Sequence, residues 1–200
     1  MNSRIFNFAK ELASRRCLHD STVQQSKGDL VDFPVASYVG FDPTAPRIHL
    51  GNYLQLVALF RGVQFGVKPI VLIGGATGGI GDPSGRSLER HVIEHKTLET
   101  NTFNMKNQLS ALAKNMLKHI EKNHKVDNSF LVLDNHEFYS KMHVMDFFRK
   151  FGFHIRVSPM LGKESIAQRI HSADGITYTE FSYQIFQGID YYHLYKKHVC

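Results

Sequence analysis

The sequence predicts an α/β fold, a doubly wound parallel sheet, and three observations carry that prediction. Residues 35–75 read strand, turn, helix, strand, the order of a βαβ unit with a right-handed crossover. A third apolar strand, FLVLD at 130–134, follows a long helical stretch, so strands and helices keep alternating. Two polar loops, DPTAPRIHLGN and GGATGGIGDPSGR, each come directly after a strand. In open sheets of this kind that edge is where ligands bind.

Taken in order, the chain begins MNSRIFNFAKELASRRCLHD, with Arg4, Lys10, Arg15 and Arg16 against Glu11. Ile5, Phe6, Phe8, Ala9, Leu12 and Ala13 make one apolar helical face. The basic, acid-poor start also has the character of an organellar transit segment. A first helix is the preferred reading, and the two coexist if the first few residues are a targeting extension. Residues 21–31 are polar and aperiodic, hence a loop. VASYVGF, 35–41, is β-rich and apolar, and DPTAP ends it with two prolines. Residues 51–65 have helix length and apolar residues on most sides, which predicts a largely buried helix stopped by Gly66. VKPIVLIGG, 67–75, is a second buried strand. Residues 92–122 read as a polar-faced helix, 141–152 as an amphipathic helix closed by Gly152, and 163–171 as another.

The last element is YTEFSYQIFQGIDYYHLYKK. Tyr183, Gln187 and Asp190 fall on one helical face. Phe181, Ile185, Ile189 and Tyr192 fall on the opposite face, the expected core stripe. The polar stripe either faces solvent, as most such stripes do, or lines a pocket. Tyr, Gln and Asp suit a pocket wall better than the Lys and Glu of a solvated face.

Composition narrows the class. Two hundred residues with 42% apolar content can bury a sizeable core. No apolar run is long enough to span a membrane. The net charge of +6 is spread rather than gathered in one block, so it permits a polyanionic partner without demanding one. Cys17 and Cys200 lie near opposite ends without metal spacing, which argues against a disulfide scaffold and a structural metal site.

A lone histidine such as His49 is most often a bland one. Here it opens a helix beside Gly51 and Asn52, with Thr44 just before them. A helix N-terminus favours anions, and Gly51 lets a ligand approach the backbone. Arg86 and Arg90 in the glycine-rich loop add cations. That loop fits neither a Walker A nor a G-x-G-x-x-G spacing. With no evident nucleophile, the inventory suits phosphoryl or nucleotidyl transfer by positioning and charge stabilisation.

Three segments, YVGFDPTAPRIHLGN, GGATGGIGDPSGR and YTEFSYQIFQGID, together resemble the bacterial and organellar type of tyrosyl-tRNA synthetase, a class I aminoacyl-tRNA synthetase. The likeness runs from about residue 5 to Cys200, with the segments in the family's order and spacing. It implies a Rossmann-like catalytic domain over residues 35–200, after an extension of helix and loop over 1–34. It also implies tyrosine-tRNA ligase activity on L-tyrosine, ATP with Mg2+ and tRNA(Tyr), with no tightly bound cofactor and no protein-held metal.

On that resemblance, His49 and Thr44 stabilise phosphate charge, and Gly40, Asp42, Gly51 and Asn52 lie along the adenylate. Asn52 stands where the family usually has a second histidine. Tyr38 and Asp190 would bond the substrate phenol, and Asp82, Tyr183 and Gln187 its ammonium group. Arg86 and Arg90 take mobile-loop positions for pyrophosphate; the first is commonly lysine in the family, and arginine keeps the charge. The family continues with a last strand, a K-M-S-K-S loop and an anticodon-binding region, so a chain ending at Cys200 is expected to be a fragment or an inactive truncated product. Homodimers form through the catalytic domain, here expected at 138–165 and near Tyr178. A mitochondrial location is expected, or a cytoplasmic one if the source is bacterial.

Three alternatives remain. A non-catalytic RNA-binding relative is disfavoured by retention of His49, Asp82, Gln187 and Asp190. A tryptophan-specific cousin is disfavoured by Tyr38 with Asp190, a pair suited to a phenol. An unrelated nucleotide-binding module would need all three segments to coincide by chance.

Overall fold

The computed structural model describes residues 4–19, 36–84, 93–121, 129–173, 175–198 and 200. The first helix, α1 (Arg4–Ser14), packs Phe8 against the segment around Gly62 and Phe65. Glu11 bridges Arg15 and Arg61. The docked-helix reading therefore holds for this stretch, although Phe8 alone of its apolar face is buried and Ala13 is exposed.

Strand β1 (Ala36–Phe41) leads through the Pro-bearing turn into α2 (Leu50–Arg61), followed by β2 (Lys68–Ile73). Helix α3 (His95–Glu121) precedes β3 (Leu131–Asp134). The three strands form a parallel sheet in the order β1-β2-β3. Ala36 pairs with Lys68 and Phe41 with Ile73, while Ile70 pairs with Leu131 and Ile73 with Asp134. Pro69 lacks a ladder donor, and β3 pairing begins one residue beyond it. Every residue of β2 after Lys68 is buried, the expected state of a central parallel strand covered on both faces.

Alternation along β2 sorts the core. Val71 and Ile73 face α2 and α3, packing with Leu56, Leu59, Phe60, Met105 and Leu109. Ile70 and Leu72 face the other way, onto Leu194 of the long helix α8 (Tyr178–His198). Helices therefore cover both faces, as the doubly wound prediction requires. Between β3 and α8 come four short helices: α4 (His136–Tyr139), α5 (Val144–Lys150), α6 (Val157–Leu161) and α7 (Glu164–Ile170). Among the described residues no helix is long and apolar enough to cross a membrane.

Three expectations need correction. The helix after β1 is not largely buried: Leu56, Leu59 and Phe60 are, whereas Leu50 and Leu54 are 72% and 60% exposed. It ends at Arg61, and a 3₁₀ turn carries the chain to Gly66, whose φ of 74° breaks it. The helix expected at 141–152 starts at Val144, and Gly152 opens a 3₁₀ turn rather than ending a helix. Finally, Phe181, Ile185, Ile189 and Tyr192 do not form a core stripe. Ile189 is buried, but Tyr192 is 41% exposed. Ile185, Ile189 and Tyr192 line an open apolar groove with Phe151 and Met160. The sheet-facing side of α8 runs instead through Asp190 and Leu194, so the polar stripe turns inward at Asp190, while Gln187 lines the cavity but stays exposed.

Candidate functional site

Parallel strands end together, and their carboxyl ends enclose a cavity of about 310 Å³. Tyr38 and Gly40 come from β1 and Asp42 from just beyond it, Leu72 from β2 and Gly74 from just beyond it, and Thr77 and Asp82 from the glycine-rich loop. Asn135 follows β3 directly, and Tyr183, Gln187 and Asp190 project from α8. A bidentate pair holds the start of α8: Arg169 Nε and Nη2 donate to the two Glu180 carboxylate oxygens at 3.1 and 3.0 Å. Both side chains are almost wholly buried.

One hydrogen-bonded chain ties the cavity walls together. The Asn135 side chain is fully buried and satisfied on both ends. Its Oδ1 accepts from the Ala76 N–H at 2.9 Å, and its Nδ2 donates to Thr77 Oγ1 at 3.0 Å and to Asp190 Oδ2 at 2.9 Å. These partners fix which way the amide points. Thr77 then donates to Asp42 Oδ1 at 2.7 Å, and the Tyr183 hydroxyl donates to Asp42 Oδ2 at 2.9 Å. The Tyr139 hydroxyl donates to Asp190 Oδ1. Gly74 is required here, because a Cβ would land on Asp42 Oδ1 and Thr77 Oγ1.

The electrostatics follow from burial. Asp190 is 5% exposed. Desolvation pushes its carboxyl up to about 6, partly offset by the bonds from Tyr139 and Asn135. Burial, then the Asp190 charge, pushes the Tyr38 phenol up to about 12, so it stays a proton donor. A donor and an acceptor thus line one end of the cavity, and Asp42, Asp82 and Gln187 line the same enclosure.

The His49 loop is built differently. Asn101 Nδ2 donates to the Pro43 carbonyl, and Gln108 bonds the Pro46 carbonyl and the Ile48 N–H, so α3 pins its backbone. His49 caps α2 in a reciprocal box: its Nδ1 accepts from the Asn52 N–H at 3.3 Å, and Asn52 Oδ1 accepts from the His49 N–H at 3.1 Å. Capping by Nδ1 puts the proton of a neutral imidazole on Nε2. Capping by Oδ1 leaves the Asn52 amide N–H groups as donors. His49, Thr44 and Gly51 are exposed. A Cβ at Gly51 would press on the His49 ring at 3.0 Å.

The structure therefore gathers Tyr38, Gly40, Asp42, Asp82, Tyr183, Gln187 and Asp190 around one cavity. Thr44, His49, Gly51 and Asn52 are not in its wall but sit on the loop that continues from the same strand. Arg86 and Arg90 lie outside the described residues. Sequence reasoning missed Thr77, Asn135 and Tyr139. Asn135 follows a strand directly, which is a usable signal; Thr77 is the one hydroxyl in GGATGGIG; Tyr139 gave none.

Comparison with known proteins gives the family. Residues 32–200 match the family described as tRNA synthetases class I (W and Y). The chain is 38% identical over 195 residues to a tyrosine-tRNA ligase of Flavobacterium johnsoniae, covering 97% of this chain and 43% of that protein. It is 39% identical over 166 residues to the mitochondrial tyrosine-tRNA ligase of Drosophila melanogaster, covering 82% of this chain and 36% of the relative. Among solved structures it resembles a C-terminally truncated mitochondrial tyrosyl-tRNA synthetase of Aspergillus nidulans, with a TM-score of 0.84 and 30% identity. That match covers 94% of this chain and 54% of the solved one. The chain thus spans less than half the length of the curated relatives it matches.

Proposed function

The chain belongs to the tRNA synthetases class I (W and Y), and on that premise we propose that it forms the amino-acid-activating part of a tyrosine-tRNA ligase. The observation that carries this is the cavity end where Asp190, a buried acceptor, shares the wall with Tyr38, a donor. A phenol O–H donates and accepts, so it uses both; an indole N–H can only donate. Phenylalanine would leave both groups unpaired, and tyrosyl-tRNA synthetases are the standard example of that form of rejection.

In the reaction, the tyrosine carboxylate attacks the α-phosphate of ATP, carried as its Mg2+ complex. A carboxylate-to-phosphorus bond forms, and the bond to pyrophosphate breaks. Asp82, Tyr183 and Gln187 hold the ammonium group, which leaves the carboxylate free toward the His49 loop. His49 Nε2–H, the Asn52 amide and Thr44 offer donors to the phosphates, and Gly40, Gly51 and Asp42 line the adenylate. Arg86 and Arg90 take the pyrophosphate. The 3′ end of tRNA(Tyr) then accepts the tyrosyl group, releasing AMP. The protein acts as a homodimer; support comes from Val144, Phe148, Phe153, Val157 and Tyr178, each 48–76% exposed, along α5, α6 and the start of α8. Mitochondrial relatives and the basic first helix support a mitochondrial location.

The test is ATP–pyrophosphate exchange by the full-length protein with each of tyrosine, phenylalanine and tryptophan. Exchange driven by tyrosine alone is expected; exchange driven by tryptophan would overturn the assignment.

A further inference from the structure

Asp190 has a second phenol behind it that the steps above do not use. Tyr139 closes the one-turn helix α4, and its hydroxyl lies 2.5 Å from Asp190 Oδ1. The same hydroxyl is 3.1 Å from the Phe186 carbonyl. It has one proton, and the nearer acidic acceptor takes it. Tyr139 is not part of the cavity wall. It lines a separate apolar hollow with Met142, Phe147, Ser182 and Phe186, and its ring stands edge-on to Phe186 at 5.2 Å. The ring is thus held by α8 while the hydroxyl reaches Asp190 from outside the enclosure.

We propose that Tyr139 is a specificity-determining positioning residue. Its hydroxyl holds one Asp190 oxygen from behind, Asn135 holds the other, and the remaining lone pairs are presented to a phenolic O–H in the cavity. This rests on tyrosine being the ligand. A carboxylate has about four acceptor positions, and these two donors occupy one on each oxygen. Without the Tyr139 bond the carboxylate is held through one oxygen only, by Asn135, and the acceptor is less firmly fixed.

The charge state moves the same way. The titratable groups facing Asp190 are Tyr139 from α4, Tyr38 from β1 and Asp42 just beyond β1. Burial raises the Asp190 carboxyl, and the Tyr139 bond lowers it. Burial and the Asp190 charge push the Tyr139 phenol up, so it remains a donor. Removing its O–H therefore favours the neutral carboxylic acid, a weaker acceptor.

The experiment measures L-tyrosine binding and competition by L-phenylalanine from about pH 5 to about pH 9 on the full-length protein. Wild type is compared with Tyr139→Phe, which keeps the ring, and Tyr139→Leu, which removes it. Tyr139→Phe is expected to weaken L-tyrosine about 10- to 100-fold and to shrink the tyrosine-to-phenylalanine ratio. The pH midpoint of tyrosine binding should move to a more alkaline value, with ATP binding unchanged. Tyr139→Leu should show the same losses and melt at a lower temperature. Wild-type selectivity and midpoint in Tyr139→Phe, with losses confined to Tyr139→Leu, would show a packing role and overturn the proposal alone. A wild-type protein that does not prefer tyrosine would sink the substrate assignment and this proposal together.

Discussion

The two halves of the candidate site are made by opposite means. The cavity around Asp190 is built from polar groups that hold one another across β1, the glycine loop, α4 and α8. The His49 loop is open, and its side chains are occupied locally in capping their own helix. The first half has its acceptors fixed by bonds within the protein. The second has backbone order but keeps its donors at the surface. On the proposed function, substrate identity is decided where Asn135, Thr77, Asp42 and Asp190 are tied into one buried network, since a low local dielectric strengthens such bonds. The half proposed to face phosphate can rely on charge and on a helix N-terminus.

Changes that unseat α8 should damage the first half and spare the second. Arg169→Ala leaves Glu180 as a buried unpaired charge, so it should cost about 3–5 kcal/mol of stability, read by thermal unfolding. Tyrosine binding should fall with it, while the α2 cap stays intact by hydrogen exchange. Equal loss of protection at both places would erase the distinction. Next in size, Asp190→Ala should weaken tyrosine about 100-fold or more and leave ATP binding alone. Unchanged tyrosine parameters in pyrophosphate exchange would remove Asp190 from the phenol end. Gly74→Ala forces a methyl onto Asp42 and Thr77 and should cost about 1–3 kcal/mol, with a matching loss of tyrosine affinity by calorimetry.

Acidity provides a smaller and more diagnostic contrast. The Asp190 carboxyl sits at about 6 in the fold against 3.8 for an ordinary aspartate. A raised value means the fold favours the protonated form. Its contribution to stability is complete below the ordinary value and is lost as pH rises through about 6. Tyrosine affinity should move oppositely, rising about three- to tenfold over the same window as the acceptor becomes charged. Asp190→Asn should abolish both slopes; persistence of either would assign it to another group. The smallest effect belongs to the open half. Asn52→Ala loses one arm of the capping box and should cost about 0.5–1 kcal/mol, with tyrosine affinity unchanged in the same titration.

The sheet was legible because VASYVGF, VKPIVLI and FLVLD are apolar, β-rich runs bounded by turn residues. Helices α4 and α6 were not, since four or five residues cannot display a 3.6-residue period. The burial of α2 was misjudged because apolar composition says how much of a helix can be covered, not what is there to cover it. The same holds for α8, where a sound periodicity was attached to the wrong side: the polar stripe faces the sheet because its polar groups find partners there. Placement of the strand-end loops on one edge followed from topology alone. The partners of Asp190 did not, because a bond from Tyr139 spans 51 positions and leaves no local pattern.

The bond from Tyr183 to Asp42 joins residues 141 positions apart, and that separation has a meaning in time. During synthesis, β1, α2, β2 and α3 can assemble on nearby contacts long before α8 emerges. The enclosure exists only once the far helix has swung back across the sheet, a late closure of the kind that slows folding. On the proposed function, free tyrosine bound between early and late segments would act as a latch on the newborn chain, favouring the closed form by mass action. A cell short of the amino acid would hold its newest copies of this domain less firmly shut.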